Sequence, residues 1–259
     1  MPNLSNRVVL ITGASRGIGA ASARRLAHYG AAVVLTARTE VALAEVAQSI
    51  IELGGRALAL RCDVSVFSDV ATAVERTVEE FGSLDVLVNN AGTIDPLARL
   101  TEADPELWSR AVDINLKGVF YGMRAAIPIM ERQGHGVVIN MSSGAANSAL
   151  EGWSHYCATK AAAKKLTECA HGEVGDRGIR VVGLSPGTIA TAMMARIKES
   201  GINPVSQLDW SKHETPEWAA EAVAYLCTEA SSDFAGSDFS IKTEAGRDRV
   251  RAMLDGDRI

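Results

Sequence analysis

A phenol and an ammonium stand one helical turn apart in the run "HYCATKAAAKKLTECA", residues 155–170: Tyr156 and Lys160. At i and i+4 of a helix two side chains are neighbours. A free phenol has a pKa of about 10, and a nearby ammonium stabilises the phenolate and lowers that value. A tyrosine tuned in this way can pass a proton to or from a carbonyl oxygen near neutral pH. The surrounding alanines cost the helix little and leave room for something bulky beside it. A YxxxK pair by itself is usually an accident of surface neighbours, so its context has to carry the reading.

Ser143 supplies part of that context. It ends the run "GVVINMSS", thirteen residues before Tyr156, where its hydroxyl can hydrogen-bond a substrate oxygen and stabilise negative charge developing there. Ser142 is the competitor and reads as a cap or turn residue. No aspartate–histidine pair accompanies Ser143 at hydrolase spacing.

A second chemical signal is "TGASRGIG", residues 12–19. Glycine permits a tight turn with positive φ and close approach of the backbone to a ligand. A helix start behind such a turn offers unpaired N–H groups to a pyrophosphate. The expected cofactor contacts here are Gly13, Ser15, Arg16, Gly17, Ile18 and Gly19. An acid at the tip of the second strand would favour NAD, but the residues there are Ala37 and Arg38. Arg16 and Arg38 can clamp a 2′-phosphate through charge-assisted hydrogen bonds, so NADP(H) is preferred over NAD; Glu40 reaching the ribose keeps NAD open. Asp63 and Val64, after the third strand, should meet the adenine, and "NNAG" adds Asn89, Ala91 and Gly92. An asparagine pair can also be an ordinary turn.

These residues need a scaffold. Short β-branched runs alternate with longer amphipathic ones. Strands are expected at 7–12, 31–37, 56–63, 84–92, 136–143 and 179–187, with helices between them and one long helical region over about 104–132. A less regular segment over 188–214, a helix at 216–228, a weak strand "DFSIK" and a charged tail close the chain. The alternation implies an α/β fold, a Rossmann-type doubly wound parallel sheet of about seven strands with helices on both faces. Near-continuous apolar strands fit a sheet buried on both sides. No linker or repeat divides the 259 residues, so they read as one domain, 1–259.

Composition narrows the function classes. A net charge of −5 and no dense basic tract argue against nucleic acid as partner. No apolar run reaches a membrane span, and "MPNLSNR" lacks a secretory apolar segment, so the expectation is a cytoplasmic protein that does not engage a membrane. The four cysteines form no CxxC pair and read as reduced thiols; Cys157, beside Tyr156, reads as a packed side chain. The histidines at 28, 135, 171 and 213 show no metal-ligand spacing, and no metal is expected. His155 precedes Tyr156 and should point elsewhere.

Taken in order, "TGASRGIG", "NNAG", "DINLKG", "NMSS", "YCATK" and "SPG" resemble the short-chain dehydrogenase/reductase (SDR) family over residues 7–190. The resemblance implies hydride transfer between a nicotinamide and a ketone, aldehyde or secondary alcohol. By motif match it implies a catalytic set of Asn115, Ser143, Tyr156 and Lys160. In it Tyr156 is the general acid in reduction and Ser143 polarises the carbonyl. Lys160 binds the nicotinamide ribose and lowers the tyrosine pKa, and Asn115 holds a relay water. For Asn115 alone, a buried helix asparagine with a backbone partner is the plainer reading. The resemblance also places Pro186, Gly187, Ile189 and Thr191 beside the nicotinamide and phosphates, and the 188–214 segment over the site as a substrate lid. The stretch "GWSHYCATKAA" is similar to sepiapterin reductases, and the general motifs to β-ketoacyl carrier-protein reductases. The C-terminal segment departs from the family's usual "DGG"-like ending, which leaves homotetramer and homodimer both open.

On the substrate side, Met193 and Met194 can form an adaptable apolar wall, and Trp153 and Trp210 can stack on a ring; core packing is an equal alternative for each. Trp108 and Trp218 read as packing residues. The expected function is an NADP(H)-dependent oxidoreductase acting on a small carbonyl or alcohol. The alternative from another class is a nicotinamide-binding sensor or scaffold without turnover, for which a lost catalytic residue would be the mark; none is lost.

Overall fold

The computed structural model describes residues 1–256. Seven strands form one parallel sheet: β1 (Val8–Thr12), β2 (Ala32–Ala37), β3 (Arg56–Arg61), β4 (Val86–Asn89), β5 (Gly136–Met141), β6 (Ile179–Ser185) and β7 (Asp238–Ser240). They run in the order β3-β2-β1-β4-β5-β6-β7. The order reverses at β1, whose neighbours are β2 and β4. In open α/β sheets ligands collect at the carboxyl ends of the strands beside such a switch point.

The central strands are buried along their whole length, as apolar runs covered by helices on both faces must be. The exception is β3, whose ends are exposed. It is one edge of the sheet, and its four inner residues are half-buried. On one face lie α1 (Gly17–His28), α2 (Glu40–Glu52), α8 (Pro216–Leu226) and α9 (Glu244–Asp255). On the other lie α3 (Phe67–Phe81), α5 (Gly118–Gln133) and α6 (Ser154–Val174). The first layer is fastened by Glu221 of α8, which accepts a hydrogen bond from Tyr29 at 2.8 Å and pairs with Arg25 at 2.9 Å.

Three elements differ from the sequence expectation. The helical region over 104–132 is α4 (Pro105–Val112), a π turn (Asp113–Lys117) and α5 in continuous succession. In the π turn the Gly118 N–H donates to the Asp113 carbonyl, five residues back. The less regular 188–214 segment contains a nine-residue helix, α7 (Ala192–Ser200), capped by Thr191. Finally, the charged tail is mostly α9: the Thr243 hydroxyl accepts from the Gly246 N–H, and Val250 and Met253 are buried in the first core layer.

Among the described residues no helix is long and apolar enough to cross a membrane. All four cysteines are free. Burial pushes the thiols of Cys62 and Cys227 up to about 12, which keeps them protonated and unreactive.

Candidate active site

The carboxyl edge of β1 makes the glycine turn. Gly13 and Gly17 take φ of 66° and 55°, in the left-handed region that only glycine enters without strain. Gly19 is excluded from carrying a side chain by contact: a Cβ there would lie 2.5 Å from the Gly13 carbonyl oxygen and 2.6 Å from Asn90 Nδ2. Arg16, the residue before α1, caps none of the helix's first N–H groups with its side chain. An uncapped helix start behind a glycine turn suits an anion such as pyrophosphate. These are the features a dinucleotide requires.

Asn90 ties the turn down. Its Nδ2 donates to the carbonyls of Thr12 (2.8 Å) and Gly13 (3.1 Å), while the Thr12 hydroxyl accepts from the N–H groups of Asn90 and Ala91. Asn89, the expected cofactor contact, turns the other way. Its side chain is buried and donates to Asn140 at 2.9 Å, and Asn140 donates to Thr167 at 2.9 Å. The side chain of Asn89 therefore knits β4 to β5 and α6, and Asn90 is the residue at the glycine turn. Gly92 lies against Asn115, whose Oδ1 would be 3.3 Å from a Cβ at 92.

Around the adenosine side, Arg16 and Arg38 are exposed, and among the described residues neither has a carboxylate within salt-bridge distance. Arg16 also lines a cavity of about 250 Å³ with Ser15, Arg24, Glu45 and Glu217. Burial works against the charge on Asp63, but the hydroxyl and N–H of Ser65, with Arg38 and Arg110 nearby, hold its carboxyl below the usual range. Val64 is buried against Gly118. Ile18 packs on the first core layer.

At the end of β5 stand Ser143, Tyr156 and Lys160. Ser143 opens a short 3-10 turn (Gly144–Asn147), and its hydroxyl accepts from the Ala145 N–H at 3.2 Å. Lys160 is 5% exposed, and its Nζ donates to the Met141 carbonyl at 2.5 Å. The same ammonium lies 5.6 Å from the centre of the Tyr156 ring. Burial lowers Lys160 to about 8, against an upward pull from Asp238. Burial raises Tyr156, and the downward pull of the nearby Ser143 hydroxyl only partly offsets it. The expectation that Lys160 brings the tyrosine down is thus not met by the protein alone. The ammonium is committed to Met141, and desolvation of the phenolate dominates.

Asn115 sits in the π turn, fully buried. Its side-chain amide pairs both ways with the backbone of Thr93: Oδ1 accepts from the N–H and Nδ2 donates to the carbonyl, each at 2.8 Å. The side chain thereby clamps the chain leaving "NNAG". π turns of this kind recur at functional sites.

The 188–214 segment begins beside the glycine turn. Thr191 Cγ2 would be 3.3 Å from a Cβ at Gly17. The two ends of this segment are joined where Ala190 N–H donates to the Glu214 carbonyl and Glu214 N–H to that of Thr188, pinning Ile189, which is buried. Pro186 is buried and Gly187 has φ of 82°. Trp153 and Met194 are 4% and 7% exposed and pack with Ile94, Ala145 and Ile197; Met193 is half-buried at the edge of that cluster. The Trp153 ring meets Tyr156 edge-on at 5.6 Å. Trp153 and Met194 thus back the tyrosine as packing, rather than standing open as a platform. Trp210 is exposed and stacked edge-on with His213. His155 points away, with Nε2 on the Ile94 carbonyl at 2.8 Å.

The parallel sheet with its switch-point glycine turn and the serine, tyrosine and lysine at the end of β5 define a dinucleotide-dependent oxidoreductase architecture. The family model described as short chain dehydrogenase matches residues 7–201, and the chain belongs to that family, whose members use a nicotinamide cofactor. The cis-4-hydroxycyclohexanecarboxylate dehydrogenase of Sinomonas cyclohexanicum is 39% identical over 92% of this chain and 95% of its own. The cyclohexanol dehydrogenase of Acinetobacter sp. (strain SE19) is 34% identical over 92% and 94%. Among solved structures, levodione reductase superposes with a TM-score of 0.86 at 29% identity, over 92% of this chain and 97% of that one.

Proposed function

We propose that this protein is an NADP(H)-dependent dehydrogenase/reductase that interconverts an alicyclic secondary alcohol and its ketone, with Tyr156 as general acid and base. The observation that carries the reading is the meeting of Ser143, Tyr156 and Lys160 at the end of β5, on a sheet whose switch point carries the glycine turn.

Bound nicotinamide supplies or accepts the hydride. The protein does the rest. The glycine turn, with Ser15 and Ile18, holds the pyrophosphate; Arg16 and Arg38 hold a 2′-phosphate; Asp63 and Val64 border the adenine. Ala91, Gly92, Pro186, Gly187, Ile189 and Thr191 frame the nicotinamide half. Ser143 donates to the substrate oxygen. Tyr156, kept protonated by its burial, gives its proton to that oxygen in reduction and recovers it in oxidation. Lys160, lowered to about 8, retains most of its charge at neutral pH and holds the nicotinamide ribose beside the Tyr156 ring, whose centre is 5.6 Å from its ammonium.

The alicyclic substrate is supported by the names of two relatives, both dehydrogenases of cyclohexane-ring alcohols. Met193, half-buried at the edge of the packed cluster of Ile94, Trp153 and Met194, offers a saturated ring an adaptable apolar wall. Self-association into a dimer or tetramer is supported by an apolar groove on α5 and α6 that includes Phe120, Ile127 and Leu166, with Phe120 46% exposed.

The test is oxidation of NADPH and of NADH against cyclohexanone, an oxocyclohexanecarboxylate, a 3-oxoacyl thioester, a pterin diketone and an aromatic ketone. Turnover of the cyclohexanones with NADPH is expected. Preference for NADH would overturn the arginine clamp, and preference for the thioester or pterin the alicyclic assignment. Tight cofactor binding without turnover on any of them would return the sensor reading.

A further inference from the structure

Asp238 is a carboxylate in an unusual place. It opens β7 and pairs in register with Gly183 of β6. A Cβ at 183 would lie 1.8 Å from Asp238 Oδ1, so the carboxylate fits only because its partner on the neighbouring strand is glycine. Its Oδ2 accepts from the Ser142 hydroxyl at 2.6 Å, while Oδ1 is buried with no protein donor. Burying a carboxylate with half its acceptor capacity unmatched costs free energy, and nothing in the sheet ladder requires an acid there.

Its surroundings belong to the active site. Ser142 lies between Met141, whose carbonyl accepts from Lys160, and Ser143. The Ser142 N–H extends the sheet by donating to the Leu184 carbonyl at 2.8 Å, so the residue is held from both its backbone and its side chain. Asp238 is therefore one hydrogen bond from the peptide segment that presents both the lysine's acceptor and the catalytic hydroxyl. It is also the charge that acts on Lys160, raising its pKa against the effect of burial. On α6 itself the titratable neighbour of Nζ is Tyr156, 5.6 Å away at its ring centre. The elements packed on α6 include α4, the π turn, α5, β5, β6 and the Gly144–Asn147 turn; among the described residues, none of them brings a further charge to bear on Lys160.

We propose that Asp238 is a positioning residue of the active site: through Ser142 it fixes the strand exit that carries Ser143, and its carboxylate is the counter-charge of the Lys160 ammonium. This rests on the reading of Lys160 as a cofactor-binding and catalytic group.

The test uses Asp238→Asn, which keeps an acceptor for Ser142 and removes the charge, and Ser142→Ala, which keeps the charge and removes the bond. Cofactor affinity is followed across pH by quenching of tryptophan fluorescence, beside the pH profile of kcat/KM. In the wild type both should weaken as Lys160 loses its proton near about 8. In Asp238→Asn that limb should move toward acid by about one pH unit, the low end for loss of a nearby opposite charge. In Ser142→Ala the limb should stay in place while kcat falls about tenfold, as for a mispositioned hydroxyl. If Asp238→Asn does not fold, Asp238→Ser, smaller and neutral, carries the same expectation. An unmoved limb in the folded neutral variant would overturn the proposal. Lys160→Met separates the two levels: if it retains the wild-type limb, the reading of Lys160 itself fails. If it abolishes the limb and Asp238→Asn does not move it, only the role of Asp238 fails.

Discussion

Replacing Lys160 with methionine should stabilise the protein at neutral pH relative to high pH, and the size of the effect follows from burial. The native ammonium titrates at about 8 against 10.5 for the unperturbed group. That difference corresponds to a penalty of about 3 kcal/mol when both folded and unfolded states are charged. Below pH 8 the full penalty applies. Between 8 and 10.5 the native lysine is neutral while the unfolded one still binds its proton, so stability rises with pH; above 10.5 the penalty is gone. Integrated from pH 7 to 9.5, the gain is about 2 kcal/mol. Methionine, similar in length and without charge, gains nothing over that range. Cys62, Cys227 and Tyr29, all raised to about 12, act in the opposite direction, since their stabilisation fades as pH climbs toward 12. They are common to both proteins and cancel in the difference. The assay is urea unfolding of wild type and Lys160→Met at several pH values. The wild-type-minus-variant free energy should climb by about 2 kcal/mol over that span. A difference that stays constant would refute the claim that Lys160 is held charged at a desolvated site.

Two further outcomes follow from contacts. Gly19→Ala pushes a methyl into the Gly13 carbonyl and Asn90; it should abolish detectable cofactor binding in a fluorescence titration, with secondary structure by circular dichroism unchanged. Trp153→Ala removes a buried ring that backs Tyr156. It should cost about 3–5 kcal/mol in denaturant unfolding, as large-to-small core changes do, and lower kcat more than it raises the cofactor KM.

The βα alternation was legible because β1, β2, β5 and β6 are apolar runs buried on both faces, and the glycine turn because its spacing is tied to backbone geometry. Other features depend on tertiary context. The parity of "NNAG" does not say which asparagine faces the sheet interior; β4 ends at Asn89, and that side chain is the one turned inward. The π turn at Asp113–Lys117 leaves the helical pattern unbroken in sequence. Helix α9 buries only Gly246, Val250 and Met253 along twelve residues rich in charge, too few apolar positions to mark a helical face. The i, i+4 spacing of Tyr156 and Lys160 located the pair but not the balance of forces on it. That balance is set by desolvation and by the Met141 carbonyl, which belongs to another element. Asp238 escaped notice because its meaning comes from Ser142 and Gly183, each on a different strand exit or strand.

The central claim is that Tyr156 moves the proton. Tyr156→Phe removes one oxygen from a packed ring and leaves the glycine turn untouched. Measured side by side, its cofactor dissociation constant should match the wild type while kcat on the preferred ketone falls at least about a hundredfold, the lower range for loss of a general acid. Wild-type turnover by Tyr156→Phe with cofactor bound would contradict the account.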